Sequence, residues 1–136
     1  MKYLSDYTNA AQTKLFEECG AFFAFSKEQL NDGIKKIGAS EENKIVSFGG
    51  GGYVLSKNID LLIDGLNNIQ QLGIKMDIEE NGIKNIIHRE LGNYECQIDK
   101  DISRAVEALE DYGITYEQVK EEFKEYFQKC IDNDWF

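Results

Sequence analysis

The chain contains no proline, so glycines and side-chain caps have to end its helices and strands. Twelve glycines are available for this purpose. Five of them, Gly20, Gly38, Gly73, Gly92 and Gly113, each follow a segment whose apolar residues recur at helical spacing. A glycine at such a place can take the left-handed backbone conformation that closes a helix. We therefore expect helices to end at these glycines.

The starts of the predicted helices are marked by polar side chains that can accept a hydrogen bond from an unpaired backbone amide. Segments beginning at Ser26, Asp77 and Thr115 match the capping-box pattern, in which glutamine or glutamate follows three residues after the cap. The predicted helices run from Asp6 or Thr8 to Gly20, from Ser26 to Gly38, from Ser56 to Gly73, from Asp77 to Gly92, from about Asp101 to Tyr112, and from Thr115 towards Cys130.

Shorter apolar segments predict a small sheet. Residues 21–25 form a continuous apolar run that is typical of a buried strand. Residues 45–48 and 53–55 flank four glycines and predict a hairpin, and residues 93–98 predict an edge strand or an extended connection. The whole pattern predicts an α+β fold in a single domain over residues 1–136. We expect an antiparallel sheet of about three to four strands packed against about five to six helices, with a helical C-terminal part.

The charge balance restricts the partners of the chain. It has 15 basic and 25 acidic residues, a formal net charge of −10 and a pI near 4.6. Such a field repels phosphate backbones and anionic lipids, so we expect no direct binding to nucleic acid or membranes. Residues 99–136 hold 11 acids against 5 bases. This surplus either keeps the protein soluble or forms a surface that is complementary to a basic protein partner.

The last two predicted helices carry the acids that we expect to bind a protein partner. On the last helix, Glu121 is spaced to pair with Lys124, and Glu125 with Lys129, along the solvent side. The terminal Trp135 either folds back onto the core or serves as an aromatic anchor. The predicted partner-binding residues are Glu110, Asp111, Glu117, Glu121, Glu122, Glu125, Asp132, Asp134 and Trp135.

An alternative is a small metal- or nucleotide-binding enzyme. Backbone amides in a glycine run can approach a phosphate, but no Gly-Lys-Ser/Thr follows this run, so a turn is the simpler interpretation. His88-Arg89-Glu90 is similar to part of a zinc-deaminase motif whose Pro-Cys-x-x-Cys partner is absent. A looser site could add Glu95 and Cys96. The alternative site comprises Gly49, Gly50, Gly51, Gly52, His88, Glu90 and Glu95; the leading hypothesis has no catalytic residue, metal or cofactor.

The cysteines and the first residues indicate a compartment. Cys19, Cys96 and Cys130 are odd in number and widely spaced, which argues against a disulfide framework and a zinc ribbon. No segment resembles a signal peptide or approaches the ~20 apolar residues that span a bilayer. We therefore expect a cytoplasmic protein.

Three blocks of sequence carry a resemblance to known proteins: Phe22-Phe23-Ala24-Phe25-Ser26-Lys27-Glu28-Gln29, the glycine run 49–52, and Glu90-Leu91-Gly92-Asn93-Tyr94-Glu95. In these blocks the chain resembles a family of small uncharacterised proteins from bacteriophages and related mobile elements, in which histidine is frequent at the position of Tyr94. The resemblance implies an accessory protein in a bacterial cytoplasm that binds a host or phage protein. One implied role is inhibition of a nucleic-acid-handling defence enzyme through the acidic surface.

Overall fold

A computed structural model describes residues 1–136. The helices are α1 (Leu4–Cys19), α2 (Lys27–Ile37), α3 (Ile59–Asn81), α4 (Ile83–Asn93), α5 (Cys96–Asp99), α6 (Ser103–Ala108) and α7 (Tyr116–Asn133). The strands are β1 (Ala21–Phe23), β2 (Ile45–Gly49) and β3 (Gly52–Leu55), and short 3-10 turns cover Ser56–Asn58 and Glu110–Tyr112. The predicted α+β class, with a small antiparallel sheet and a helical C-terminal part, is confirmed. No helix combines the length and apolar character needed to cross a membrane.

The chain forms two compact units. The first comprises Lys2–Gly73 and the second comprises Ile74–Phe136 together with Met1. The first contains the sheet with α1 and α2, and the second contains α4 to α7. Most of the net negative charge lies in the second unit, where residues 74–136 include 16 acidic and 8 basic residues. The division into two compact units does not test whether the chain is a single domain, so the single domain stays a prediction.

The sheet of the first unit has the strand order β1-β3-β2, with both pairs antiparallel. The central strand supplies the fully buried Val54, which lies opposite Ala21 on one side and Val46 on the other. The predicted hairpin of β2 and β3 is therefore confirmed. The predicted buried strand over residues 21–25 is only partly correct, because β1 is a three-residue edge strand and Phe23 and Phe25 are 47% and 77% exposed.

The predicted end of a helix at Gly73 is wrong, because α3 continues to Asn81. A side chain at Gly73 would lie 2.5 Å from the Thr8 side chain of α1, so this glycine permits close packing of two helices. The break comes instead at Gly82, whose φ of 77° separates α3 from α4. The predicted capping box at Asp77 is wrong for the same reason, since Asp77 lies in α3 and is fully buried.

The core of the second unit is built mainly by α4, α6 and α7. Ile86, Ile87 and Leu91 of α4 pack in one cluster with Ala105 of α6 and Val119 of α7. These side chains repeat at helical spacing along each element, which is why the sequence forms amphipathic helices here. The core fixes α4 and α7 as neighbouring helices, and the solvent-facing sides of these helices form the candidate site.

Two parts of this unit differ from the sequence predictions. Residues 93–98 are not a strand: Asn93 ends α4, and α5 begins at Cys96, whose side chain is fully buried. The helix predicted from about Asp101 is split into α6 and a 3-10 turn, although Gly113 closes it in the left-handed conformation as expected. Burial of Cys96 in the helical core explains the first error, because partial alternation in sequence does not exclude a helix.

Candidate functional site

The start of α7 is held by a capping box. The backbone amide of Gln118 donates to Thr115 Oγ1 at 3.2 Å, and the amide of Thr115 donates to Gln118 Oε1 at 2.8 Å. The predicted cap is confirmed. It places Glu117 and Glu121, which are four residues apart and both exposed, on the same side of the first two turns of α7.

An open groove of about 510 Å³ lies between α4 and α7. Its lining is mainly apolar and includes the partly exposed Ile83 and, one turn further along α4, Ile87, which belongs to the core and is only 1% exposed. Acidic side chains of α7 line its other side. The lining residues are Ile83, Lys84, Ile87, Glu117, Gln118, Glu121 and Glu122.

A set of polar contacts joins α4 to α7 beside the groove. His88 Nε2 lies 2.7 Å from Glu122 Oε2, and Lys129 Nζ lies 3.4 Å from His88 Nδ1. Because an ammonium group can only donate, Nδ1 is the acceptor, and Nε2–H donates to Glu122. Lys84 Nζ lies 2.7 Å from Glu125 Oε2, and this hydrogen bond lowers the pKa of Glu125 and raises the pKa of Lys84.

The acids on α7 are unequally neutralised. The predicted pair of Glu121 with Lys124 is present at 3.2 Å, but both side chains are more than 70% exposed, so the pair adds little stability. The predicted pair of Glu125 with Lys129 is replaced by Glu125 with Lys84 of α4. Glu117 makes no ion pair. Glu117 and Glu121 therefore remain available to an external cation.

Further predicted acids lie at helix ends. Asp132 accepts a hydrogen bond from Gln128 at 2.9 Å, and Asp134 closes α7 with a φ of 55°. Negative charge at the C-terminal end of a helix is unfavourable, and the last turn of α7 has no basic residue. Glu110 and Asp111 are exposed in the 3-10 turn that precedes Gly113. A cationic partner would relieve part of this unfavourable charge at the end of α7.

Trp135 is half exposed, with 49% of its surface accessible. Its carbonyl oxygen accepts a hydrogen bond from Gln97 Nε2 at 3.0 Å, while the ring of the next residue, Phe136, packs on Phe127 of α7. Part of the indole is therefore accessible while the backbone beside it is held.

A buried ionic network in the second unit was not predicted. Arg89 donates to both carboxylate oxygens of Asp77, at 2.9 and 3.0 Å, and to Glu90 at 2.9 Å. The hydroxyl of Tyr112 and the amide of Asn81 also donate to Asp77. Burial by itself would raise the pKa of Asp77, but these hydrogen bonds outweigh it and lower this pKa. Burial would likewise lower the pKa of Arg89, but its carboxylate partners raise it.

The residues of the predicted alternative site have different partners in the structure. Glu90 binds Arg89, whereas His88 contacts Glu122. Glu95 is exposed, with a φ of 50°. One group of potential ligand atoms does lie within 4.8 Å of one another, but it consists of His88, Glu122 and Glu125, not of His88, Glu90 and Glu95. In the sequence, the three-residue spacing of Glu122 and Glu125 indicates that they share one face of a helix. It does not predict that this face lies against His88.

The glycine run belongs to the first unit and forms the β2–β3 turn. Gly49, Gly50 and Gly51 have φ values of 96°, 59° and 81°, which other residues rarely adopt. A side chain at Gly51 would overlap the ring of Phe25, and the carbonyl of Gly51 accepts the amide of Ala24 at 2.9 Å. Turn geometry and close ring packing therefore account for the glycines.

The three cysteine thiols are free and buried. Burial is the main cause that raises the pKa of Cys19 and of Cys96, with nearby carboxylates adding to it. Cys96 and His88 share no group of potential ligands. Because the thiolate is the reactive form, the raised pKa values make Cys19 and Cys96 poor nucleophiles in the folded protein.

Comparison with known proteins gives one match. No curated protein and no solved structure matches the chain. A protein-family model, described as a family of unknown function (DUF7659), matches residues 4–132. Because this match covers almost the whole chain, the protein belongs to the DUF7659 family of unknown function.

Proposed function

We propose that this chain is a non-enzymatic accessory protein that binds and modulates another protein through the acidic surface of its second unit. The observation that carries the proposal is the α4–α7 groove, where an apolar lining is bordered by Glu117, Glu121 and Glu122. Apolar surface supplies binding free energy, and complementary charge speeds association and selects the partner. Acidic residues without an apolar groove beside them could be explained simply as a surface that keeps the protein soluble.

The narrower form of the proposal concerns the partner's activity. The resemblance to phage and mobile-element proteins suggests a host or phage partner, and an enzyme that handles nucleic acid presents a cationic surface to its substrate. A protein whose second unit holds twice as many acids as bases can compete for such a surface. This form predicts that adding the protein lowers the partner's affinity for DNA or RNA.

The test is affinity capture from bacterial lysate with a matched pair of variants. Glu117→Lys/Glu121→Lys reverses two exposed charges at the groove, and Glu41→Lys/Glu42→Lys reverses two exposed charges in the first unit. Both variants change the net charge equally. We expect a partner that the wild type and the Glu41/Glu42 variant retain at low salt and that the Glu117/Glu121 variant loses. Equal capture by both variants would contradict the proposed surface.

The group His88, Glu122 and Glu125 favours a second candidate function, which is binding of a divalent metal. Imidazole and carboxylate oxygen are both zinc ligands. Against it, Lys84 and Lys129 already contact this group and supply positive charge. Zinc at 100 times its dissociation constant would add about 2.7 kcal/mol of stability. A thermal shift with zinc that His88→Gln abolishes would support this function, and no shift would remove it.

A further inference from the structure

The α4–α7 groove has a shape and spacing that identify its occupant more closely. It lies between two neighbouring helices that share one core, and such grooves are suited to the apolar face of a third helix. Ile83 and Ile87 are separated by one turn of α4. Ile83 is partly exposed, whereas Ile87 is only 1% exposed and belongs to the core, so a helix lying in the groove would place an apolar residue on Ile83.

Two acidic residues on the other side of the groove are one helical turn apart. Glu117 and Glu121 are four residues apart on α7, which corresponds to about 6 Å along the helix axis. Two basic residues one turn apart on a partner helix would lie at the same separation. Glu117 makes no ion pair, and the pair of Glu121 with Lys124 joins two side chains that are both more than 70% exposed, so exchanging it for a pair with a partner costs little.

The other two charged residues of the lining, Glu122 and Lys84, are held in place by contacts within the protein. Glu122 accepts from His88, and Lys84 is bound to Glu125 at 2.7 Å. The positive charge of Lys84 is therefore balanced by a carboxylate outside the groove lining. The charge that faces an occupant consequently comes mainly from Glu117 and Glu121.

Resting on the proposed function, we infer that the groove binds a basic amphipathic helix of the partner protein. Its apolar stripe lies on Ile83, the partly exposed isoleucine of the groove, and its lysines or arginines pair with Glu117 and Glu121. An amphipathic helix of this kind buries its apolar stripe only when it is bound, which is the usual form of helix-in-groove recognition.

The experiment uses the full chain and a designed fluorescent peptide of leucine and lysine whose pattern forms one amphipathic helix. A peptide of the same composition in scrambled order keeps the charge but has no apolar stripe. We expect the patterned peptide to bind, measured by fluorescence anisotropy, and to gain helicity on binding. Equal affinity for the scrambled peptide, or no binding of the patterned peptide, would overturn the inference.

Matched variants locate the binding site. Glu117→Gln/Glu121→Gln removes two exposed charges, and we expect it to weaken peptide binding about two- to thirtyfold, since each of the two exposed ion pairs contributes roughly 0.2–1 kcal/mol. Glu41→Gln/Glu42→Gln makes the same change of net charge in the first unit and should leave the affinity unchanged. Equal weakening by both variants would mean that the peptide senses only net charge, and would overturn the inference.

The peptide and capture experiments can fail separately. If the Glu117/Glu121 reversal abolishes capture of a partner but the helical peptide does not bind, the acidic surface is used and the helical occupant is wrong. If the peptide binds the groove but capture is unaffected by the reversal, the proposed function is wrong and the groove is not the surface that binds the captured partner.

Discussion

Replacing Arg89 with methionine tests whether the buried ionic network holds the second unit together. Methionine keeps an unbranched apolar stem of similar reach but removes the guanidinium that donates twice to Asp77 and once to Glu90. The side chain of Asp77 is fully buried, so in the variant its charge keeps only the hydroxyl of Tyr112 and the amide of Asn81 as donors.

The expected cost follows from this burial. Removing one partner of a buried ion pair leaves an uncompensated charge and costs about 3–5 kcal/mol. With a urea m-value of about 2 kcal/mol per M, a loss of 4 kcal/mol would lower the unfolding midpoint by roughly 2 M. Urea unfolding followed by circular dichroism measures this shift. Arg104→Met, at an exposed position of α6, is the matched control and should change stability by less than about 0.5 kcal/mol.

A double variant separates the loss of charge balance from the loss of packing. Arg89→Met/Asp77→Leu removes the stranded carboxylate as well, so we expect it to be more stable than Arg89→Met alone, although Tyr112 loses its acceptor. A cost below about 1 kcal/mol for Arg89→Met, or a double variant that is less stable than the single one, would refute the reasoning.

The same network predicts a pH dependence. In the wild type the pKa of Asp77 is lowered, so its contribution to stability is present above the unfolded pKa of about 3.9 and is lost as the pH falls through the lowered value. Without Arg89, burial should raise this pKa above the unfolded value. The variant then recovers stability as the pH falls from 7 towards about 4, so the stability difference from the wild type should narrow there.

Three further predictions concern single sites. Gly33→Ala should lower the free energy of unfolding by about 1–3 kcal/mol although alanine favours helices, because the new Cβ would lie 2.3 Å from the ring of Phe22; an unchanged urea midpoint would contradict this close packing. Thr115→Ala should cost about 0.5–2 kcal/mol, because the amide of Gln118 loses its cap, and Thr115→Ser should restore most of it. Cys96 should react with a thiol reagent only after unfolding, because burial raises the pKa of its thiol; rapid reaction of Cys96 in the native protein, located by peptide mass mapping, would contradict that burial.

Elements defined by contacts within four or five residues could be predicted from the sequence. Ser26 caps α2 as expected, with its side chain accepting from the amide of Gln29. Gly38 and Gly113 close helices in the left-handed conformation. The glycine run forms the turn of the predicted hairpin. These signals are local, because a cap, a helix end or a tight turn is decided by side chains that are neighbours in the chain.

Features that depend on distant parts of the chain could not be predicted. Gly73 has the local signature of a helix end, but α3 continues because α1 packs against it at that glycine. Asp77 matches a capping box by spacing, but it is the buried partner of Arg89, twelve residues later. In both cases a tertiary contact overrides a correct local preference, which only the folded structure reveals.

The candidate site divides in the same way. The sequence by itself determined the surplus of acids near the C-terminus and the one-turn spacing of Glu117 and Glu121, because both follow from composition and helical period. Only the tertiary structure decided that this face borders an apolar groove with α4, and that His88 meets Glu122 instead of Glu90. The physical reason is that helical period says which residues share a face, whereas packing between helices decides what that face meets.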